Sequence, residues 1–270
     1  MQVLAIQPVL FLSHGGGPLP LLDDPAHAEL LLTYALIRHK LDALPHSPSA
    51  LLFISAHWET REPTLTAAAQ PSLLFDYYGF PPQSYQLRYP VVGAPELAVT
   101  LAEQLGKWGW TAHLDSERGL DHGVFVPGML LFPRADIPCL QLSLFDSLDA
   151  AAHLQLGHAL RALRNENVLI IGSGFSFHNM RAFFDPVTQQ EAALNLAFEN
   201  WLEVTLRLED ERERERCLLK WKQAPGAAFC HPREEHLLPI HVCAAAAGKP
   251  VTQEWRFTAL NRHGSCYWWD

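Results

Sequence analysis

An α/β fold, one domain with a mostly parallel central sheet flanked by helices, is predicted by three observations. Short apolar segments alternate in order with amphipathic ones, the apolar segments show little polar alternation, and no linker-like composition divides the chain. The segment "QPVLFLSH" from Gln7 reads as the first strand. "ALLFISAHW" from Ala50, "IPCLQLSL" from Ile137 and "NVLIIGSGFSFHN" from Asn167 read as three more. Continuous apolar character is what a strand covered on both faces requires. Between them, "AHAELLLTYALIRHKLDAL" from Ala26, "APELAVTLAEQLGKWG" from Ala94 and "LDAAAHLQLGHALRALRN" from Leu148 carry apolar stripes at three-to-four spacing and predict helices. A helix is also predicted from Gln189 to Arg216. It ends in "LEDERERERC", where Glu209, Glu211 and Glu213 each have an arginine three residues on, the pattern of a solvated face with internal pairing.

The 270 residues, 49% of them hydrophobic, suffice for one large core, and the expected domain spans 1–270. A net charge of −9 without a basic stripe argues against nucleic acid as a partner. Apolar runs fall far short of the roughly 18 to 20 residues a bilayer span requires, and neither a basic leader nor a secretory cleavage site is visible, so the expectation is a cytoplasmic protein with no membrane association. Five scattered cysteines without a CxxC pair suggest reduced structural thiols.

Fourteen histidines are the informative excess. His14 follows "VLFLS", His57 follows "LLFISA" and His178 follows "VLIIGSGFSF". Ligands of open α/β sheets collect at the carboxyl ends of parallel strands, so three imidazoles in such positions can converge on one site. Neutral imidazole binds first-row divalent metals, and His14 and His57 would begin such a centre. The three glycines after His14 lack the Lys-Ser or Lys-Thr pair of a phosphate loop. They are expected instead to leave room for a planar group beside His14. In "CHPREEHLLPIHV", Pro232 is expected in the first turn of a helix, and His231, His236 and His241 recur every five residues. That spacing spreads them around a helix, so no more than two can serve one site. "LDHGVFVPGMLLFP" adds His122 in an expected loop before an apolar run. Trp58, Phe80, Tyr85 and Phe177 are aromatic but are assigned to packing.

In order, "SHGGGPLP", "SAHW", "GFPPQSYQLRYPVVGAPELA", "LDHG", "SGFSFHN" and "HPREEHLLP" resemble the class III extradiol ring-cleaving dioxygenases, in particular their 4,5-DOPA dioxygenase branch, over nearly the whole chain. The resemblance implies a non-heme iron(II) centre, with zinc able to take its place, and a catecholic substrate opened with O2. It matches His14, His57 and His236 to metal ligands. His178 is matched either to the metal or to acid-base chemistry beside it, and His122 to a position near the substrate. An imidazole suits proton transfer because its ordinary pKa of about 6.5 lies near working pH. The first motif departs from the His-Gly-Ser-Pro of many members, since Gly16 and Gly17 follow Gly15. More distant relatives use a carboxylate as third ligand, and Glu234 and Glu235 adjoin His236; the branch resemblance selects His236. Two readings of other kinds compete. One is a zinc-dependent hydrolase, which needs only three imidazoles, a water and a base. The other is a non-catalytic metal-binding protein on the same fold, which the joint presence of His14, His57, His178 and His236 disfavours.

Overall fold

The computed structural model describes residues 6–270. Among them, the strands β1 (Val9–Ser13), β2 (Ala50–Thr60), β3 (Thr64–Thr66), β4 (His113–Asp115), β5 (Cys139–Phe145), β6 (Val168–Gly174), β7 (Gln253–Ala259) and β8 (Arg262–Trp269) form a single sheet in the order β4-β3-β5-β2-β6-β1-β8-β7. Its centre, β5-β2-β6-β1, is parallel throughout, with Leu51 opposite Cys139, Leu52 opposite Ile170 and Val9 opposite Ile170. The four strands expected from sequence are these four. The helices are α1 (Ala28–Asp42), α2 (Pro95–Gly106), α3 (His122–Leu131), α4 (Ala150–Leu160), α5 (Met180–Phe184), α6 (Gln189–Leu206), α7 (Glu211–Leu219), α8 (Ala227–Cys230) and α9 (Leu238–Ala247).

Both faces of the central strands are covered, which is why they lack polar alternation. Val9 and Phe11 of β1 pack into one apolar layer with α2, α4, α6 and α9, while Leu10 and Leu12 enter the opposite layer with α1 and α3. Leu52 and Ile54 of β2 divide from Leu51 and Phe53 in the same way.

Three expectations change in detail. The apolar run after His122 is a helix, α3, and His122 is its first residue rather than part of a loop. The segment after Pro232 stays irregular until α9 begins at Leu238, with Pro239 in its first turn, so His231 and His236 precede the helix. The stretch from Gln189 to Arg216 is two helices, because Asp210 turns the chain and caps α7 by accepting from the Glu213 N–H at 3.0 Å. Its charge run is only partly solvated. Glu213 and Arg216 pair at 3.2 Å on the surface, whereas Arg214 is fully buried and donates to the Leu208 carbonyl.

Three buried histidines outside any cluster link the fold to pH. His153 Nδ1–H donates to Asp149 O at 2.7 Å, His231 Nε2–H to Ser176 O at 2.7 Å and His241 Nε2–H to Leu218 O at 3.0 Å. Burial lowers His153 and His241 to about 4 and His231 to about 3. Because their folded values lie below the unfolded one, their contribution is complete above about pH 6.5 and is lost as the pH falls toward 4 and 3. Each should cost about 2 kcal/mol at pH 5 relative to pH 7.5. Glu199, pushed up to about 7 by its burial, works in the opposite sense and offsets roughly one of the three. Urea unfolding is therefore expected to show a net loss of stability between pH 7.5 and 5, above the range in which ordinary carboxylates titrate. A flat profile over that interval would contradict the assignment.

Candidate metal and active site

His14 follows β1 directly, and its backbone N–H donates to Gly174 O at 2.9 Å, which ties the loop to the end of β6. His57 lies inside β2, within the stretch between Ile54 and Glu59 where the pairing with β5 shifts register. Such an irregularity re-aims side chains at a sheet margin. His236 arrives from the irregular segment before α9. Its carbonyl accepts from Phe175 N–H at 3.1 Å, and a Cβ on Gly174 would lie only 2.1 Å from that oxygen, so only glycine admits this approach.

The three imidazoles meet through their Nε2 atoms, His57 to His14 at 3.1 Å and His236 to His57 at 3.3 Å. Their tautomers follow from what the other nitrogens touch. Ser173 Oγ donates its proton to Gly123 O, so its lone pair accepts from His14 Nδ1–H at 3.1 Å. His236 Nδ1–H donates to Glu235 Oε1 at 2.9 Å, and His57 Nδ1 faces Asp76 Oδ2 at 3.6 Å. His14 and His236 are thereby left with Nε2 lone pairs that both face His57 Nε2, an arrangement that a cation among the three would satisfy. Burial, followed by the neighbouring imidazoles, holds His14 and His236 well below the usual histidine range; burial and His122 do the same for His57 against the opposing pull of Asp76. All three are neutral at physiological pH, as metal ligands must be. The donor set therefore fits a divalent transition metal.

His178 does not join this set. It stacks on His236 with ring centroids 3.4 Å apart and planes at 15°, and its Nδ1 approaches Glu235 Oε1 at 3.2 Å. His122 mirrors it on the other side, its ring 3.9 Å from that of His57, with Nδ1–H donating to Asp76 Oδ1 at 2.8 Å. Two carboxylates thus each hold one histidine of the triad and one flanking histidine. Burial opposes ionisation of both, but the His122 hydrogen bond on Asp76 and the His178 hydrogen bond on Glu235 prevail, and both are held below the usual carboxylate range. Glu235 lies on the Nδ1 side of His236, away from the Nε2 cluster, a poor position for the carboxylate ligand of more distant relatives.

His122 is set by a buried polar network at the head of α3. Asp121 accepts from Ser55 Oγ at 2.7 Å, from Arg118 Nη2 at 3.2 Å and from the Gln141 side-chain amide. His231 and His241, which bond backbone carbonyls elsewhere, stay outside the site.

A family model for the catalytic LigB subunit of aromatic ring-opening dioxygenase matches residues 8–265. The chain belongs to this class III extradiol dioxygenase family. It is 40% identical over 265 residues to dioxygenase tasH of Hapsidospora irregularis, covering 93% of this chain and 82% of that protein. It is similar to the 4,5-DOPA dioxygenase extradiol of Beta vulgaris at 38% identity, covering 90% and 88% of the two chains, and to that of Escherichia coli K12 at 34%, covering 91% and 88%. The crystal structure of an uncharacterised protein from Escherichia coli K12 superimposes with a TM-score of 0.77 at 27% identity, over 98% of this chain and all of that one.

In this LigB-family chain the histidines close one end of a cavity of about 430 Å³. Gly15, Gly16 and Gly17 border it, but the need for glycine has a second cause beside open space. Gly15 and Gly17 have φ of +87° and +56°, and added Cβ atoms would meet Pro20 at 2.7 Å and Phe80 at 3.0 Å. His27 secures the turn: its Nδ1–H donates to Asp24 at 2.6 Å while its Nε2 accepts from Gly16 N–H at 2.9 Å. Of the aromatic residues assigned to packing, Phe80 lines the cavity, while Trp58 lies beneath the Arg118 guanidinium at 4.5 Å and Phe177 is in the core. Asp76, Tyr77, Ser173 and His27 carry no sequence signal that singles them out.

The hydrogen bond from His236 predicts a graded response. Glu235→Gln keeps an acceptor beside Nδ1 but loses its charge, and metal affinity should fall about 10- to 100-fold, the usual effect of removing a partner behind a ligand. His236→Ala should lower it much further. Metal titration by calorimetry checks the order, and the reverse ranking would favour a carboxylate ligand.

Proposed function

We propose that this dioxygenase holds iron(II) through His14, His57 and His236 and opens the ring of a catechol beside its diol, both atoms of O2 entering the product. The observation that supports it most is the convergence of three Nε2 lone pairs, each imidazole backed at Nδ1, on the floor of a cavity of about 430 Å³. When bound, iron(II) supplies the redox centre at which a catechol and O2 can react, given the open positions left by three protein ligands on one face. Zinc fits the same three imidazoles, so the ion alone does not define the reaction.

The chain's own residues then orient substrate and handle protons. The cavity walls exclude water from the ring and fix its plane. His178 and His122, flanking the triad on opposite sides, are placed to take a proton from a catechol hydroxyl and to return one to the product oxygen. Asp76 accepts from His122 Nδ1–H and Glu235 lies against His178 Nδ1, so each Nε2 is the lone pair that would take up the proton and later return it. A hydrolase would need a base for water but has no use for O2. The test is anaerobic iron(II) reconstitution followed by a catechol panel with oxygen uptake and visible absorbance recorded. One O2 consumed per catechol with a yellow ring-opened product is expected; no uptake across the panel with iron loading confirmed would sink the reading.

A further inference from the structure

Beyond the histidines, the cavity is built from apolar side chains. Leu19, Tyr77, Phe80, Phe175 and Phe183 form its walls, and the Tyr77 hydroxyl is already committed, donating to Ser84 O at 2.7 Å. At the mouth, Tyr78, Met180 and Phe184 are 92%, 55% and 81% exposed, an unusual outlay of apolar surface beside an opening. Among the described residues, no Lys, Arg, Asp or Glu lines the cavity. Of the charged groups nearby, Arg181 and Asp185 beside the rim are solvent-exposed and do not line the cavity, and four others are engaged elsewhere. Asp76 and Glu235 stand behind the imidazoles, Arg118 binds Asp121, and Arg262 is buried on the Ala182 carbonyl.

The volume is about three times the roughly 150 Å³ that takes up a benzene ring, so a catechol at the histidine floor leaves room for a substituent reaching toward the mouth. A carboxylate or ammonium held within the cavity beyond the histidines would lose water and find no Lys, Arg, Asp or Glu among the lining residues, whereas an alkyl or aryl group would cover the exposed rim. Resting on the dioxygenase reading above, we infer that the catechol this site opens carries a neutral, apolar substituent and not an amino-acid or carboxylate side chain. The preference departs from the substrate named for the 4,5-DOPA dioxygenases to which the chain is similar.

The experiment compares unsubstituted catechol, 4-tert-butylcatechol, 4-phenylcatechol, DOPA and 3,4-dihydroxyphenylacetate on the iron-reconstituted protein. Oxygen uptake gives kcat/KM, and anaerobic calorimetry gives Kd. The two apolar catechols are expected to exceed DOPA and 3,4-dihydroxyphenylacetate by about 100-fold in kcat/KM, the order produced when a charge enters a site without a partner, and to bind more tightly than unsubstituted catechol. Met180→Arg, at the exposed rim, should raise kcat/KM for 3,4-dihydroxyphenylacetate about tenfold relative to 4-phenylcatechol. Equal or better turnover of the charged rings, with no gain from Met180→Arg, would overturn the inference while leaving the dioxygenase reading standing. No uptake with any ring, unsubstituted catechol included, would instead remove that reading and this inference with it.

Discussion

Replacing His14 or His57 by alanine is expected to abolish both iron retention and ring opening while the protein remains folded. Each substitution deletes one of three clustered imidazoles, His57 Nε2 lying 3.1 Å from that of His14 and 3.3 Å from that of His236, and among the described residues no other imidazole joins this group. His178 cannot readily substitute, because it lies flat against His236 at 3.4 Å. The loss should exceed the 10- to 100-fold that removal of an outer partner costs, and turnover should fall below detection. Stability should change little, since His57 is partly exposed and His14 gives up one hydrogen bond to Ser173, worth about 1 kcal/mol. Iron content per chain, thermal melting and oxygen uptake measured together decide the matter. Stoichiometric iron in both variants would remove these residues from the metal site.

The parallel centre of the fold was legible because its strands are buried on both faces and separated by amphipathic helices. Its margins were not. β3 and β4 have three residues each, too few to display a period, and the turn of the β7–β8 hairpin is made by Leu260 and Asn261 at φ of 51° and 60°. Leucine in a left-handed turn gives no signal of the Asn-Gly kind. His14, His57 and His178 could be found because each follows a recognisable strand core. His122 and His236 were reached through family motifs, since a helix start and an irregular segment have no periodicity of their own. Asp76 and Glu235 illustrate what pattern reading cannot supply. Glu235 could be considered only as a ligand from its place beside His236, whereas its hydrogen bonds to two imidazoles depend on the stacking of His178 on His236, a contact between residues 58 positions apart. Asp76 lies in an irregular stretch and acquires meaning only when α3 brings His122 to it.

His178→Ala separates the two roles the sequence left open for that residue. The substitution removes a ring stacked on His236 but leaves the three converging Nε2 atoms, and Glu235 still accepts from His236 Nδ1 at 2.9 Å. Iron should therefore be retained at close to one per chain. Under the proposed reading catechol should still bind, because the three clustered imidazoles and the apolar walls are untouched. What disappears is the flanking imidazole placed to carry a proton, and turnover should fall by about 10² to 10⁴, the span attributed to a positioned acid or base. A small ligand role predicts a different pattern, with iron content and activity falling together. His178→Gln sharpens the comparison: it restores a polar side chain near Glu235 without a ring nitrogen able to take and return a proton, so it should recover stability and iron but not rate. Anaerobic catechol titration, iron analysis and initial rates on both variants distinguish the outcomes. Wild-type turnover by His178→Ala would end the proton-transfer assignment, and loss of iron in proportion to activity would place His178 among the ligands after all.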